Sequence, residues 1–133
     1  MNTRLQNAAT LAGRILLASI FLAAGIGKLG AGYAGTQAYM ASQGVPGALL
    51  PLVIALEIGG AALIIAGWWT RLSALALAGF TLAAAALFHA NFADPMQQIL
   101  FLKNVAIAGG FLTLAAYGAG AWSLDARGAA KGA

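Results

Sequence analysis

The sequence predicts an all-α, integral membrane protein folded as an antiparallel four-helix bundle. Polarity is the first reason. Of its 133 residues, 62% are hydrophobic and only 8% charged, and mean hydropathy is +0.87. A soluble domain carries about 25% charged residues, so this chain lacks the polar surface to face water all round. The second reason is spacing: apolar runs at about residues 9–29, 48–68, 71–91 and 98–118 each approach the ~20 residues that a spanning helix needs. The third is the link between the second and third runs, only a couple of residues around Thr70 and Arg71, which forces a hairpin. The length suits a single four-span domain over 1–133.

"TLAGRILLASIFLAAGIGKL" forms the first span. Arg4 ahead of an apolar run invites comparison with a secretory signal, but the run exceeds the ~7–15 residues of a signal's apolar region; it is read as an uncleaved span. "GAGYAGTQAYMASQGVPG" follows as the longest loop, with Tyr33, Tyr39 and Pro46, and a short interfacial helix is expected from Thr36 to Ser42. Its "GAGYAG" start lacks the strand–turn–helix setting of a phosphate loop and is read as a flexible connection. "ALLPLVIALEIGGAALIIAGWW", "RLSALALAGFTLAAAALFHAN" and "QILFLKNVAIAGGFLTLAAYG" supply the other spans.

Four spans place both termini on the side of the Thr70–Arg71 turn. Arg4, Arg71, Arg127 and Lys131 gather there outside the membrane core, so the excess of Lys and Arg predicts cytoplasmic termini. Trp68, Trp69 and Trp122 then mark the cytoplasmic interface, and Tyr33 and Tyr39 the outer one. The net charge of +4 comes from scattered bases, with no basic cluster or aromatic stripe, which argues against nucleic-acid binding. With no cysteine and one histidine, the chain cannot form disulfides, Cys-ligated clusters or bis-His haem on its own. No HExxH and no Ser/His/Asp set is present, and no metal site is expected.

The polar residues inside the spans are the candidates for function. At ~1.5 Å per residue, Glu57 falls near the bilayer midplane, Lys103 roughly 7 Å to the outer side and Arg14 a similar distance to the cytoplasmic side. Lys28 and His89 fall nearer the outer surface. An ionised carboxylate at the midplane needs a partner, a proton or a wet cavity. Lys103 is the expected partner of Glu57, with Arg14 as the competing or additional one. Helical spacing puts Arg14, Ala18, Phe21, Gly25 and Lys28 on one stripe, Glu57 with Gly60, Ala61 and Ile64 on another, and Lys103 with Ala106 and Gly110 on a third. Small residues beside the charged ones favour close helix approach, so these stripes are expected to face the bundle interior. Arg14, Lys28, Glu57, Lys103 and Asn104 form the expected buried polar cluster. Beside that reading, the ion pair serves to fix helix register, Lys28 to anchor at the surface, Asn104 to bridge helices, and His89, sharing a stripe with Leu82 and Ala86, to bond a carbonyl or water.

The segments "RILLASIFLAAGIGKL", "GVPG", "ALEIGGAALIIAGWWTRLSAL", "FHANF" and "FLKNVAIAGGFL" together resemble the DoxX family of small four-helix membrane proteins. The resemblance runs from about Arg14 to Tyr117. It implies residence in the bacterial inner membrane and, for some members, association with quinone-linked oxidation of sulfur compounds or with redox complexes that counter oxidative stress. The family's recurring polar residues fall on Arg14, Lys28, Glu57, His89, Lys103 and Asn104.

Two functions are therefore expected as alternatives. In one, the protein is the quinone-linked or membrane-anchoring subunit of a redox system, with His89, Lys103, Asn104 and Glu57 as the ligand or quinone site. In the other, it is a non-enzymatic scaffold or small-solute carrier with a structural buried ion pair. Lys28, His89, Asn91, Asp94, Gln97, Gln98, Lys103 and Asn104 gather in the outer half, which directs attention there. The expected partners are the lipid bilayer and either a redox partner protein or further copies of the chain.

Overall fold

The computed structural model describes residues 1–132 and is helical throughout its ordered elements, with no strand among the described residues. Helix α1 spans Thr3–Gly27, α2 Gly32–Ser42, α3 Leu50–Ala66, α4 Thr70–Phe88, α5 Pro95–Tyr117 and α6 Leu124–Gly132. Helices α1, α4, α5 and α3 with its leading 3-10 turn (Gly47–Leu49) are the four long and apolar enough to cross a membrane among the described residues. Their directions alternate, giving the antiparallel bundle that the spacing predicts.

Local chemistry sets the helix ends. Asn2 caps α1 by accepting a hydrogen bond from Leu5 N at 2.9 Å, and Asp94 caps α5 by accepting one from Met96 N at 2.9 Å, with Pro95 at the first helical position, where its missing N–H costs nothing. Helix α3 stops at Gly67, whose φ of +69° closes the last turn in the left-handed conformation that glycine adopts without strain. Helix α1 extends back to Thr3, ahead of the apolar run, because Asn2 caps it there. One expectation needs correction: the "GAGYAG" segment is not a loose connection, since α2 begins at Gly32, four residues ahead of Thr36.

Backbone proximity divides the bundle into two tight pairs, α1 with α3 and α4 with α5; α3 approaches α4 less closely, and α1 and α5 meet mainly through side chains. Ala18, Ala61, Ile64, Ala74, Leu77, Ala78, Ala108 and Phe111 form the central core with Phe21, whose ring meets Phe111 edge-on at 5.3 Å. Small residues bring the backbones together. A Cβ at Gly25 would lie 2.6 Å from Ile58 Cγ1 and 3.2 Å from Glu57 Cβ, so α1 crosses α3 through that glycine. A second, smaller core of Met40, Leu50 and Ile54 holds α2 across the end of the bundle opposite the termini. Leu16, Leu52, Leu72 and Leu102 are exposed and clothe the surface that faces lipid.

Candidate functional site

The two ends of the bundle treat their polar groups differently. At the α2 end, α1 and α3 carry an ion pair. Lys28 Nζ lies 2.8 Å from Glu57 Oε1 and 3.1 Å from Oε2, donating an aligned hydrogen bond to Oε2 and another to Ala24 O at 3.3 Å. Oε1 is enclosed and has charge contact but no aligned donor. Glu57 is 2% exposed, whereas the Lys28 side chain is 25% exposed.

The expected Glu57–Lys103 pair is thus not made. Lys103 is exposed on α5, as is Ala106 beside it, and their stripe reaches α1 only at Gly110, which faces Leu17. The inward stripe of α5 runs instead through Asn104, Ala108 and Phe111. Side chains on a helix lean toward its N-terminus. Helix α1 ends at the α2 end, so the Lys28 stem leans back into the bundle toward Glu57; α5 starts there, so the Lys103 stem leans outward. Arg14 does not reach Glu57 either.

A cavity of about 420 Å³ opens beside the ion pair. Its polar wall comprises Lys28, Glu57, Thr36, Tyr39, Thr81, His89 and Asn104, and its apolar wall includes Phe21, Met40, Val53, Phe80 and Ile107. Ile20, Leu49 and Leu87 also line it while being exposed on the outer surface, so the cavity communicates with the lipid side. Asn104 Nδ2 donates to Thr81 O at 3.2 Å, bridging α5 to α4. That carbonyl sits beside a hydroxyl already committed, since Thr81 Oγ1 donates to Leu77 O at 2.6 Å. His89 follows the last residue of α4, with Nδ1 3.3 Å from Gln97 Oε1. The stripe expected to accompany it, Leu82 and Ala86, points outward. Of the expected site residues, the cavity brings together Glu57, His89, Asn104 and Lys28, and omits Lys103 and Arg14. No group of His, Asp and Glu that could hold a metal occurs among the described residues.

Sequence reasoning missed Thr36 and Tyr39, which α2 lays over the cavity, Tyr39 stacking on Phe88 at 5.5 Å. The interfacial helix was legible, but nothing in its pattern fixed which face it turns inward.

At the termini end, Arg14 is 1% exposed and donates through Nη1 to Ile64 O and Ile65 O, both at 3.4 Å, and through Nη2 to Trp122 O. It thereby caps the C-terminus of α3, whose last carbonyls have no partner in their own helix. Arg71 does the same for α5, donating to Ala115 O at 3.1 Å and to Ala116 O. Asp125 caps α4 from a distance in sequence: Oδ1 accepts from Trp69 N at 2.9 Å and Oδ2 from Thr70 N at 3.0 Å, while its own N–H donates to Gly67 O at 2.8 Å. Burial alone would raise the Asp125 carboxyl. The nearby Thr70 hydroxyl, the Thr70 and Trp69 amides and the Arg14 charge outweigh that and hold it below the ordinary carboxylate range. Ser123 ahead of "LDAR" was the one sequence signal for this element; its Oγ accepts from Ala126 N at 3.2 Å and starts α6.

Four apolar helices with a partly polar cavity at one end, and with charged side chains on helix termini at the other, define a small polytopic membrane protein. The DoxX family pattern matches residues 9–90. The chain is 52% identical to inner membrane protein YqjF of Escherichia coli strain K12 over 92% of this chain and 93% of that protein, and 41% identical to inner membrane protein YphA of the same strain over 86% of each. The chain belongs to the DoxX family and is a small inner-membrane protein of that family. No solved structure matches it.

Proposed function

We propose that the protein is a membrane subunit of a redox system whose cavity binds a quinone-type molecule, with both termini in the cytoplasm. The observation that carries this reading is the gathering of Lys28, Glu57, His89 and Asn104 around one cavity that reaches the lipid side. A quinone needs donors for its two carbonyl oxygens, apolar walls for its ring and an exit to lipid for its tail. Lys28, Asn104, Tyr39 and, in one tautomer, His89 are donors; Phe21, Phe80 and Ile107 supply apolar wall. Glu57, with one carboxylate oxygen lacking an aligned donor, can hold or pass one of the two protons that the two-electron reduction of a quinone to a quinol consumes. The chain has no cysteine and a single histidine, so electrons would come from a partner protein.

Cytoplasmic termini draw support from Arg4, Arg71, Arg127 and Lys131 at that end. Single cysteines introduced at residue 2 and at residue 43 of this cysteine-free chain test it: a membrane-impermeant thiol reagent added from the periplasm should label only the second.

The function is tested on protein purified in mild detergent. Solvent extraction should recover a quinone at near-stoichiometric yield, and a short-chain quinone should bind the emptied protein, about tenfold more weakly in the His89→Ala and Asn104→Ala variants. A wild-type protein that neither retains nor binds quinone overturns the reading. The non-enzymatic scaffold or small-solute carrier then takes its place, a role that the termini end, where Arg14, Arg71 and Asp125 all act as helix caps, would serve equally well.

A further inference from the structure

Among the cations set deep in the spanning helices, Arg14 is bonded to carbonyls and Lys28 to Glu57. Lys103 has no such partner among the described residues. It stands eight residues past Pro95, about 12 Å of helix rise, farther than its own stem reaches back toward the start of the helix. An ammonium at that depth against lipid is costly and calls for a counter-charge.

The surface around Lys103 is shaped for close approach. Ala106, Gly110, Thr113 and Tyr117 continue its edge of α5 and are exposed, Tyr117 by 84%. The backbones of α1 and α5 stay apart, meeting through Phe21 and Phe111, and between them, toward the termini, runs a groove of about 800 Å³ that includes Gly13, Gly110 and Thr113. A Cβ at Gly13 would meet nothing within 4 Å, so a neighbouring backbone can lie in this groove.

A lipid tail could fill the groove but would leave the ammonium unanswered. A second copy of the chain does no better. Its three acids are committed: Glu57 to Lys28, Asp94 to the start of α5 and Asp125 to the start of α4. Two-fold pairing through this face would also set Lys103 against Lys103. We infer that the α1–α5 groove docks a spanning helix of a different membrane protein, one that presents an Asp or Glu to Lys103 and packs closely along Gly110 and Thr113. This stands independently of what the cavity binds.

Photo-crosslinking of the full chain in its native membrane tests the inference. A photoreactive residue at 106 or at 113 should form an adduct with a distinct polypeptide, whereas the same residue at Leu75, exposed on α4, should not. Lys103→Leu should cut the adduct at least tenfold while Lys103→Arg retains it, with unchanged thermal unfolding of the isolated protein showing that the fold is intact. Mass spectrometry of the adduct should place a carboxylate residue within a spanning segment of the partner. Exchanging the charges, Lys103→Glu here and that acid to Lys in the partner, should restore the yield. Adducts only with a second copy, adducts only with lipid, a yield indifferent to Lys103→Leu, or a partner without an intramembrane acid would each overturn it.

Discussion

The two ends of this bundle contain similar numbers of polar groups and use them in opposite ways. At the termini end, Arg14, Arg71 and Asp125 each complete the terminus of a helix other than their own, so charge is spent on capping. At the α2 end, one ion pair joins α1 to α3 and the remaining polar side chains border open space. A carbonyl at a helix end must be answered wherever it lies in a membrane, so the first set follows from architecture alone. Nothing architectural demands His89, Tyr39 and Glu57 around a cavity. The contrast separates residues that hold the fold from residues available to a ligand.

The largest effect should come from the termini end. Arg14→Leu leaves the carbonyls of Ile65 and Trp122 without this donor and Ile64 O with the Gly67 N–H alone, and should cost about 3 kcal/mol, measured by unfolding in detergent. Arg14→Lys should recover little, because an ammonium cannot spread donors over three carbonyls as a guanidinium does. Gly67→Ala attacks the same junction: a Cβ there would lie 2.0 Å from Arg14 Nη1 on a backbone with φ of +69°, so it should lose more than ~1 kcal/mol. A loss below that in both variants would break the claim that this end is locked.

Next in size is the ion pair. Lys28→Met strands a carboxylate that is 2% exposed and should cost about 3 kcal/mol. Glu57→Gln should cost less, since the Lys28 ammonium is partly exposed and can turn toward the surface. Lys28→Met combined with Glu57→Leu should regain most of the loss. Lys103→Met should leave stability of the isolated protein within about 0.5 kcal/mol of wild type. A large loss from Lys103→Met with none from Lys28→Met would reassign the partner of Glu57.

Asp125→Asn keeps the shape of the cap but removes its charge, and should cost about 1 kcal/mol. Its pH dependence sharpens the assignment. The folded-state carboxyl titrates below its ordinary value, so ionised Asp125 stabilises the fold at every pH above the unfolded value of ~3.9. That contribution is lost as pH falls through the depressed folded value. The stability gap between wild type and Asp125→Asn should therefore be constant near neutrality and close below about pH 4. A gap that persists in strong acid would mean that the carboxylate charge is not what holds α4.

How much of this was written in the sequence differs from helix to helix. The inward stripe of α1, Arg14, Ala18, Phe21 and Gly25, follows from spacing, and so does that of α3 through Glu57, Gly60, Ala61 and Ile64. In each span the charged residues, Arg14 and Lys28 in one and Glu57 in the other, lie on a single stripe and set its phase. Helix α5 offers two adjacent ones, Lys103 and Asn104, in surroundings apolar on every side. Small neighbours favoured Lys103, but the packing of Ala108 and Phe111 into the core turned Asn104 inward. Depth counted at Cα misplaced Lys28 as well, because the lean of a side chain depends on which way its helix runs. The partners of Arg14 and Arg71 are carbonyls, which every residue has and no pattern marks.

The smallest effect on stability is the most informative about function. His89 lies beyond the end of α4, is half-buried, and has Gln97 as its nearby side-chain partner. His89→Ala removes little packing, and the protein should insert and unfold within about 0.5 kcal/mol of wild type. If the cavity is a ligand site, binding should nonetheless weaken about tenfold, some 1.4 kcal/mol. His89→Gln should retain part of the affinity, since an amide can still donate or accept there. Asn104→Ala is the harder control because it also breaks the bridge to Thr81 O, so its loss mixes binding with helix packing. A fold that ignores His89→Ala while binding falls places function at the open end. Indifference of both fold and binding would reduce the α2 end to the same structural role as the termini end.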